Sequence, residues 1–247
     1  YKKFRGKKNY IIIDLTRKNI FRKDKNSFSV SIGQFGKIIS ILKKNNCSRV
    51  LFAGKVKKPN FNKLKLDVKG IFYISRIIKK LKLGDAAIIK EIIRIFKKEG
   101  IKTIRSNFFT PELTLTKGNY SNHRPDLEDK KDIFNALKSL NKTNPYDHVQ
   151  SAVSRKNLIV LEKNEGTEKM LKKIKKKKGK RNGVLVKFPK KKQDSRIDLP
   201  TVGINTLKQC KRAGLKGVLL KHKKNIFLNK SNCIKYANKN KIFITVK

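Results

Sequence analysis

The sequence is poor in the residues that usually mark a specialised site. It has no tryptophan, one methionine and three cysteines in 247 residues. Cys47, Cys210 and Cys233 share no metal-type or redox spacing, so the expectation is reduced thiols in a cytosolic protein rather than a disulfide framework. His123, His148 and His222 are just as scattered, which leaves a zinc site without support. No apolar run approaches the ~20 residues of a spanning helix, and no signal-peptide pattern opens the chain. An RNP-type aromatic strand motif and zinc-finger spacing are both missing, which counts against a dedicated nucleic-acid reader. Acids are scarce against bases: 17 Asp and Glu face 65 Lys and Arg, a formal charge of +48.

Such a charge has two readings. One is a polyanion partner, whether nucleic acid or an anionic membrane surface. The other is composition bias laid over an ordinary fold, because lysine, asparagine and isoleucine are all written with A- and T-rich codons and the lysines are spread along the whole chain. The second is favoured, and no specific nucleic acid is expected as a partner. Under either reading the field attracts anionic substrates and lipids, most strongly at low salt.

The apolar pattern predicts an α/β protein of two domains joined by a linker. In the first half, strands are expected at 9–15, 28–32, 49–53 and 101–104, and helices at 37–45, 71–83 and 86–98. Alternating strands and helices argue an N-terminal Rossmann-like parallel sheet over residues 1–115. Residues 116–132 are polar and end in the acidic run Asp126, Glu128, Asp129 and Asp132, which reads as a linker running into a helix near Ile133. A C-terminal α/β domain follows over 133–247, with strands at 149–153, 158–161, 183–186, 217–220 and 242–246. Its helices are expected at 167–178, 205–213 and 230–240.

The chemistry concentrates where two apolar runs end. The run 158–161 leads into Glu162, Glu165, Gly166, Thr167 and Glu168. The run 183–186 leads into Lys187, Lys190, Gln193, Asp194, Arg196 and Asp198, then Pro200, Thr201 and Gly203. Carboxylates, cations and a hydroxyl at neighbouring strand ends are what a magnesium–phosphate site requires. Two weaker phosphate candidates lie in the first half. Gly33-Gln34-Phe35-Gly36 opens a helix whose N-terminus suits an anion, with a tight turn as the equal alternative. Gly54 ends a strand just before Lys55, Lys57 and Lys58.

Taken in order, these segments resemble the LpxI-type UDP-2,3-diacylglucosamine pyrophosphatases of lipid A synthesis. The resemblance rests on IGQFGKI (32–38), FAGKVKKP (52–59) and LGDAAI (83–88) in the first half. In the second it rests on YDHVQSAV (146–153), NEGTEKML (164–171), VLVKFPKKKQDSRIDLPTVG (184–203) and AGLKGV (213–218). It implies a Mg2+-dependent hydrolase that splits UDP-2,3-diacylglucosamine into UMP and 2,3-diacylglucosamine 1-phosphate, with the acylated sugar held between two domains. It also implies a cytoplasmic enzyme at the inner face of the inner membrane of a Gram-negative bacterium, in peripheral contact with anionic lipid, with a homodimer as one possible assembly.

On that resemblance Asp198 is the central acid, as metal ligand or water-orienting base, and Asp194 is the second. Arg196, Lys187 and Lys190 are the phosphate cations. Glu165, Gly166, Thr167, Gln193 and Thr201 complete the substrate shell, joined from the first half by Gln34, Gly54 and Lys55. Phe108, Phe109 and Leu113 are candidates for acyl contact, with core packing as their plainer reading. The sequence departs from the family at Glu168, commonly Asp, and at Lys191-Lys192, commonly Pro-Gly. It departs again at Val149, usually Gly, and at Ala86, often an acid. The family's opening strand is absent before Tyr1, so the first domain is expected to lack it. Two other readings stand beside the enzyme: a basic nucleic-acid-binding protein and a nonenzymatic nucleotide-binding module.

Overall fold

The computed structural model describes residues 9–16, 20–54, 64–83, 85–143, 149–163, 165–174, 181–190, 194 and 196–247. The chain divides into two compact units, Tyr1–Ser106 and Asn107–Lys247.

Unit 1 alternates strands and helices. Strands β1 (Ile12–Asp14) and β2 (Ser27–Ser29) pair in parallel, with Ile12 opposite Ser27. Helix α1 (Phe35–Lys44) follows, then β3 (Arg49–Leu51), α2 (Val68–Leu81), α3 (Asp85–Lys98) and β4 (Lys102–Ile104). Strands β3 and β4 also pair in parallel. The parallel pairing expected from the sequence is present, as two two-stranded ladders among the described residues rather than one continuous sheet. The core gathers Phe35, Ile38, Ile39 and Leu42 from one face of α1, Tyr73 and Ile77 from α2, and Ile95 and Phe96 from α3. Their i, i+3, i+4, i+7 spacing is the apolar stripe of a helix that packs on one side.

Helix α2 begins three residues before the expected position, and Asp67 is the reason. Its carboxylate accepts the Gly70 N–H at 2.7 Å and caps the helix. The same carboxylate accepts the N–H groups of Gly36 (3.1 Å) and Lys37 (2.8 Å) at the start of α1. Burial opposes its ionisation, but the N–H groups of Lys37, Gly36 and Gly70 outweigh that and hold its pKa below the ordinary carboxylate value. Gly70 makes the junction possible, since a Cβ there would lie 2.1 Å from the Gly33 carbonyl oxygen.

Unit 2 is built on a six-stranded mixed sheet. Its first strand, β5 (Gly118–Asn119), lies in the segment read as a linker. Helix α4 (Leu127–Lys142) starts six residues before the expected Ile133, because Asp126 and Asp129 form a reciprocal capping box. The acidic run is therefore a helix start, with Asp126 and Asp129 paired to Lys216. Then come β6 (Ser151–Arg155), β7 (Leu158–Leu161), α5 (Gly166–Lys173), β8 (Val184–Lys187), β9 (Thr201–Val202), α6 (Ile204–Arg212), β10 (Gly217–Leu220), β11 (Ile226–Phe227), α7 (Lys230–Lys239) and β12 (Phe243–Val246).

The sheet order is β5-β12-β10-β8-β6-β7. Strands β8, β10 and β12 are parallel, and β5, β6 and β7 join in antiparallel pairs. Lys156 and Asn157, both at positive φ (45° and 68°), make the two-residue turn between β6 and β7. Two left-handed residues give a turn whose twist matches a hairpin. The central strands of the sheet are covered on both faces, while Leu158, Ile159 and Val160 of the edge strand β7 are exposed. Leu185, Val218, Leu220 and Ile244 face a cluster with Met170, Leu207, Cys210 and Cys233, while Val184, Val186, Leu219 and Phe243 face Ile133 and Ala136 of α4. The short parallel pair β9–β11 stands apart from the sheet.

Candidate active site

The geometry of unit 2 brings three strand ends together. Ser151 opens β6 directly opposite Lys187, the last residue of β8. Glu162 follows β7 and donates its backbone N–H to the Ser151 carbonyl at 2.9 Å. Thr167 lies in the first turn of α5, which leaves the same sheet end. Gly166 makes the bend before it at φ +86°, a conformation that resists a side chain. In α/β sheets the carboxyl ends of parallel strands are where ligands bind.

Four buried side chains meet there. Lys187, 9% exposed, donates to Thr167 Oγ1 at 2.9 Å. Glu162 Oε1 lies 3.0 Å from Thr167 Oγ1, and Oε2 accepts from Ser151 Oγ at 2.8 Å and the Gln150 N–H at 3.0 Å. The Ser151 and Thr167 hydroxyl oxygens are themselves 3.0 Å apart. Two hydroxyl hydrogens serve three oxygen–oxygen contacts, so only two are made at once. Burial pushes the Lys187 ammonium pKa down, and the carboxylates of Glu162 and Asp198 pull against that. Asn225, also buried, clasps the strand ends: it donates to the Lys187 carbonyl at 3.0 Å and accepts the Lys221 N–H at 2.9 Å.

The second half of the site is the loop between β8 and β9. Asp194 accepts a two-pronged contact from Arg196, Nε to Oδ1 at 3.0 Å and a terminal guanidinium nitrogen to Oδ2 at 2.7 Å. It also accepts the Arg196 backbone N–H at 3.0 Å. The side-chain fork raises the Arg196 pKa above its ordinary value. The Asp194 carbonyl accepts the N–H groups of Ile197 and Asp198, each at 3.1 Å, so Asp194–Asp198 close into one turn. Asp198 is half-buried, and its field reaches Lys187.

Thr167, Lys187 and Asp198 are thus drawn into one electrostatic neighbourhood, with Asp194 and Arg196 one turn away. Glu165 points elsewhere: it is exposed and pairs with Lys173, which lowers its pKa. Thr201 is exposed on β9, and Lys190 is half-buried after β8. Phe108 and Phe109 pack edge to face at 4.9 Å, with Phe108 largely exposed. In unit 1, Gln34 accepts the Ser31 N–H at 3.2 Å, and the start of α1 beside it is already occupied by the Asp67 carboxylate. Strand β3 stops at Leu51, earlier than expected, and Gly54 stands three residues beyond it at φ +88°. Lys55 and Gln193 lie outside the described residues. Ser151 and Asn225 were missed by sequence reasoning. Ser151 left a trace, a serine inside an apolar strand. Asn225 left none, since its role is set by contacts with β8 and β10.

Among the described residues no three His, Cys, Asp or Glu side chains gather as a metal-holding group. Mg2+ is commonly held by one or two carboxylates, with waters and substrate phosphate filling its other positions; the carboxylates of this loop are Asp198, half-buried, and Asp194, engaged by Arg196. Among the described residues no helix is long and apolar enough to cross a membrane.

Comparison with known proteins identifies the family. Residues 5–113 match the LpxI N-terminal domain model and residues 116–245 match the LpxI C-terminal domain model. The chain is 35% identical over 198 residues to the UDP-2,3-diacylglucosamine pyrophosphatase LpxI of Caulobacter vibrioides, an alignment covering 77% of this chain and 71% of that protein.

Proposed function

The chain belongs to the LpxI family, and on that footing we propose that it hydrolyses the diphosphate of UDP-2,3-diacylglucosamine in lipid A synthesis. A water oxygen adds to one phosphorus, and the bond from that phosphorus to the bridging oxygen breaks. The products are UMP and 2,3-diacylglucosamine 1-phosphate. The observation that carries the reading is the convergence of buried Lys187, Thr167, Glu162 and Ser151 on one sheet end, next to the Asp194–Asp198 turn.

The roles follow from the chemistry. Lys187, held in a low-dielectric setting by Thr167, is the fixed positive charge for a phosphate oxygen as charge builds there. Asp198 orients the attacking water and accepts its proton. Asp194 and Asp198 are the residues that would hold Mg2+, which when bound neutralises phosphate charge. The fork on Asp194 holds that carboxylate in place until a ligand competes for it. Glu162 and Ser151 are positioning residues, acting through Thr167 and Lys187. The enzyme would work in the cytoplasm and draw its acylated substrate from the inner leaflet.

The test is turnover of UDP-2,3-diacylglucosamine with Mg2+ and with EDTA, following both products, for the wild type and Asp198→Ala. The expected result is Mg2+-dependent release of both products and a loss of about 100-fold or more in the variant at unchanged melting temperature. A folded full-length wild type that releases neither product would overturn the reading.

A further inference from the structure

Helix α2 buries Gly70, Tyr73 and Ile77 on one side. Its other side is apolar as well: Val68 is 84% exposed, Ile71 62%, Phe72 66% and Ile78 43%. Positions 68, 71, 72, 75, 79 and 82 follow a single helical face. That face therefore runs from an apolar first half, across Ser75, to the exposed lysines Lys79 and Lys82. Exposed apolar side chains grouped on one helix face mark a contact surface. We propose that this face of α2 docks onto an anionic lipid bilayer.

Charge selects the occupant. Helix α2 contains no acid. Of the acids around it, Asp67 is spent on backbone N–H groups, Glu91 is buried against Arg76, and Glu99 is held by Lys43 and Lys69. Among the described side chains the face therefore meets its partner with positive charge alone, on a chain of net charge +48. A second copy laid antiparallel would set these lysines over the apolar half of its partner, with no counter-charge to meet them. Nucleic acid would satisfy the lysines but leave Val68, Ile71 and Phe72 facing phosphates. A bilayer with anionic headgroups satisfies both halves: the apolar residues enter the acyl boundary while the lysine ammonium groups stay at headgroup level. Phe72, edge-on to Tyr73 at 5.1 Å, is held outward as part of the helix surface.

The surface does not depend on the hydrolytic reading, and the experiment keeps the two apart. Full-length protein is sedimented with phosphatidylcholine vesicles, with or without phosphatidylglycerol, across a salt series. Variants are Ile71→Gln/Phe72→Gln and Lys79→Gln/Lys82→Gln, each checked by thermal melt, and turnover is measured on detergent-dispersed substrate. The wild type should bind only the phosphatidylglycerol vesicles, and less as salt rises. The lysine variant should lose at least tenfold in partitioning, each lysine near an anionic surface being worth a factor of about five. The apolar variant should lose roughly tenfold or more. Both should turn over dispersed substrate like the wild type. Equal binding by folded variants, equal binding to neutral vesicles, or a wild-type dimer that the variants dissolve would overturn the proposal. Absence of turnover with vesicle binding intact would count against the hydrolase reading and leave the surface standing.

Discussion

The two units draw on the same meagre supply of acids and use them differently. In unit 1, Asp67 ties the starts of α1 and α2 together, Glu91 joins α2 to α3 through Arg76, and Glu99 takes Lys43, Lys69 and the Tyr73 hydroxyl. Each replaces hydrophobic contact at a helix junction with a charged clasp. In unit 2, Glu162, Asp194 and Asp198 stand at strand ends and in the loop beyond β8, and Glu162 and Asp198 act on the buried Lys187. Unit 2 also spends Asp126 and Asp129 on a helix start and on Lys216, so it is a carboxylate's partners, more than its region, that separate cohesion from chemistry.

The contrast breaks most visibly at Lys187. Lys187→Met removes the charge while keeping the length of the stem, and turnover should fall about 100-fold. The melting temperature should move far less than the rate, and a loss of rate that merely tracks unfolding would reduce Lys187 to a structural role. A smaller effect is expected at Glu99. Lys69 above all, with Lys43 and Tyr73, outweighs burial and holds its pKa at about 2, against 4.5 in the unfolded chain. A depressed carboxylate stabilises the fold above pH 4.5, and that contribution fades as pH falls towards 2. Glu99→Gln should therefore cost on the order of 1 kcal/mol at pH 7, discounted because Lys43 and Lys69 are about half exposed. Its acid denaturation curve should be flatter than the wild type's between those pH values. The smallest effect belongs to Glu165→Gln. An exposed pair with Lys173 should leave the denaturant midpoint indistinguishable from the wild type's, and a clear loss would mean that Glu165 belongs with the buried network.

The sequence shows the parts of the fold where burial writes a pattern. Strands β8 and β10, covered on both faces, are continuous apolar runs and fall within a residue of where that pattern puts them. Strands β5, β9 and β11 are two residues long, and no periodicity fits into two residues. The start of α4 hides in a polar stretch because its signal is the Asp126–Asp129 reciprocity rather than an apolar face. Of the site, Thr167 and Lys187 are legible as polar residues just beyond apolar strands. Asp67 is not, since its role depends on a helix start some thirty residues upstream.

The triangle of Ser151, Thr167 and Glu162 has a dynamic consequence. With two hydrogens for three contacts, the cluster holds a vacancy that can sit on any of three edges. When an anion draws on Lys187, Thr167 loses a donor, and the vacancy can migrate until Ser151 supplies the replacement. No heavy atom has to move. The interior of unit 2 would then follow the charge of its ligand by rotating O–H bonds alone, and the lag between binding and readjustment would be that of a hydroxyl rotor rather than of a loop.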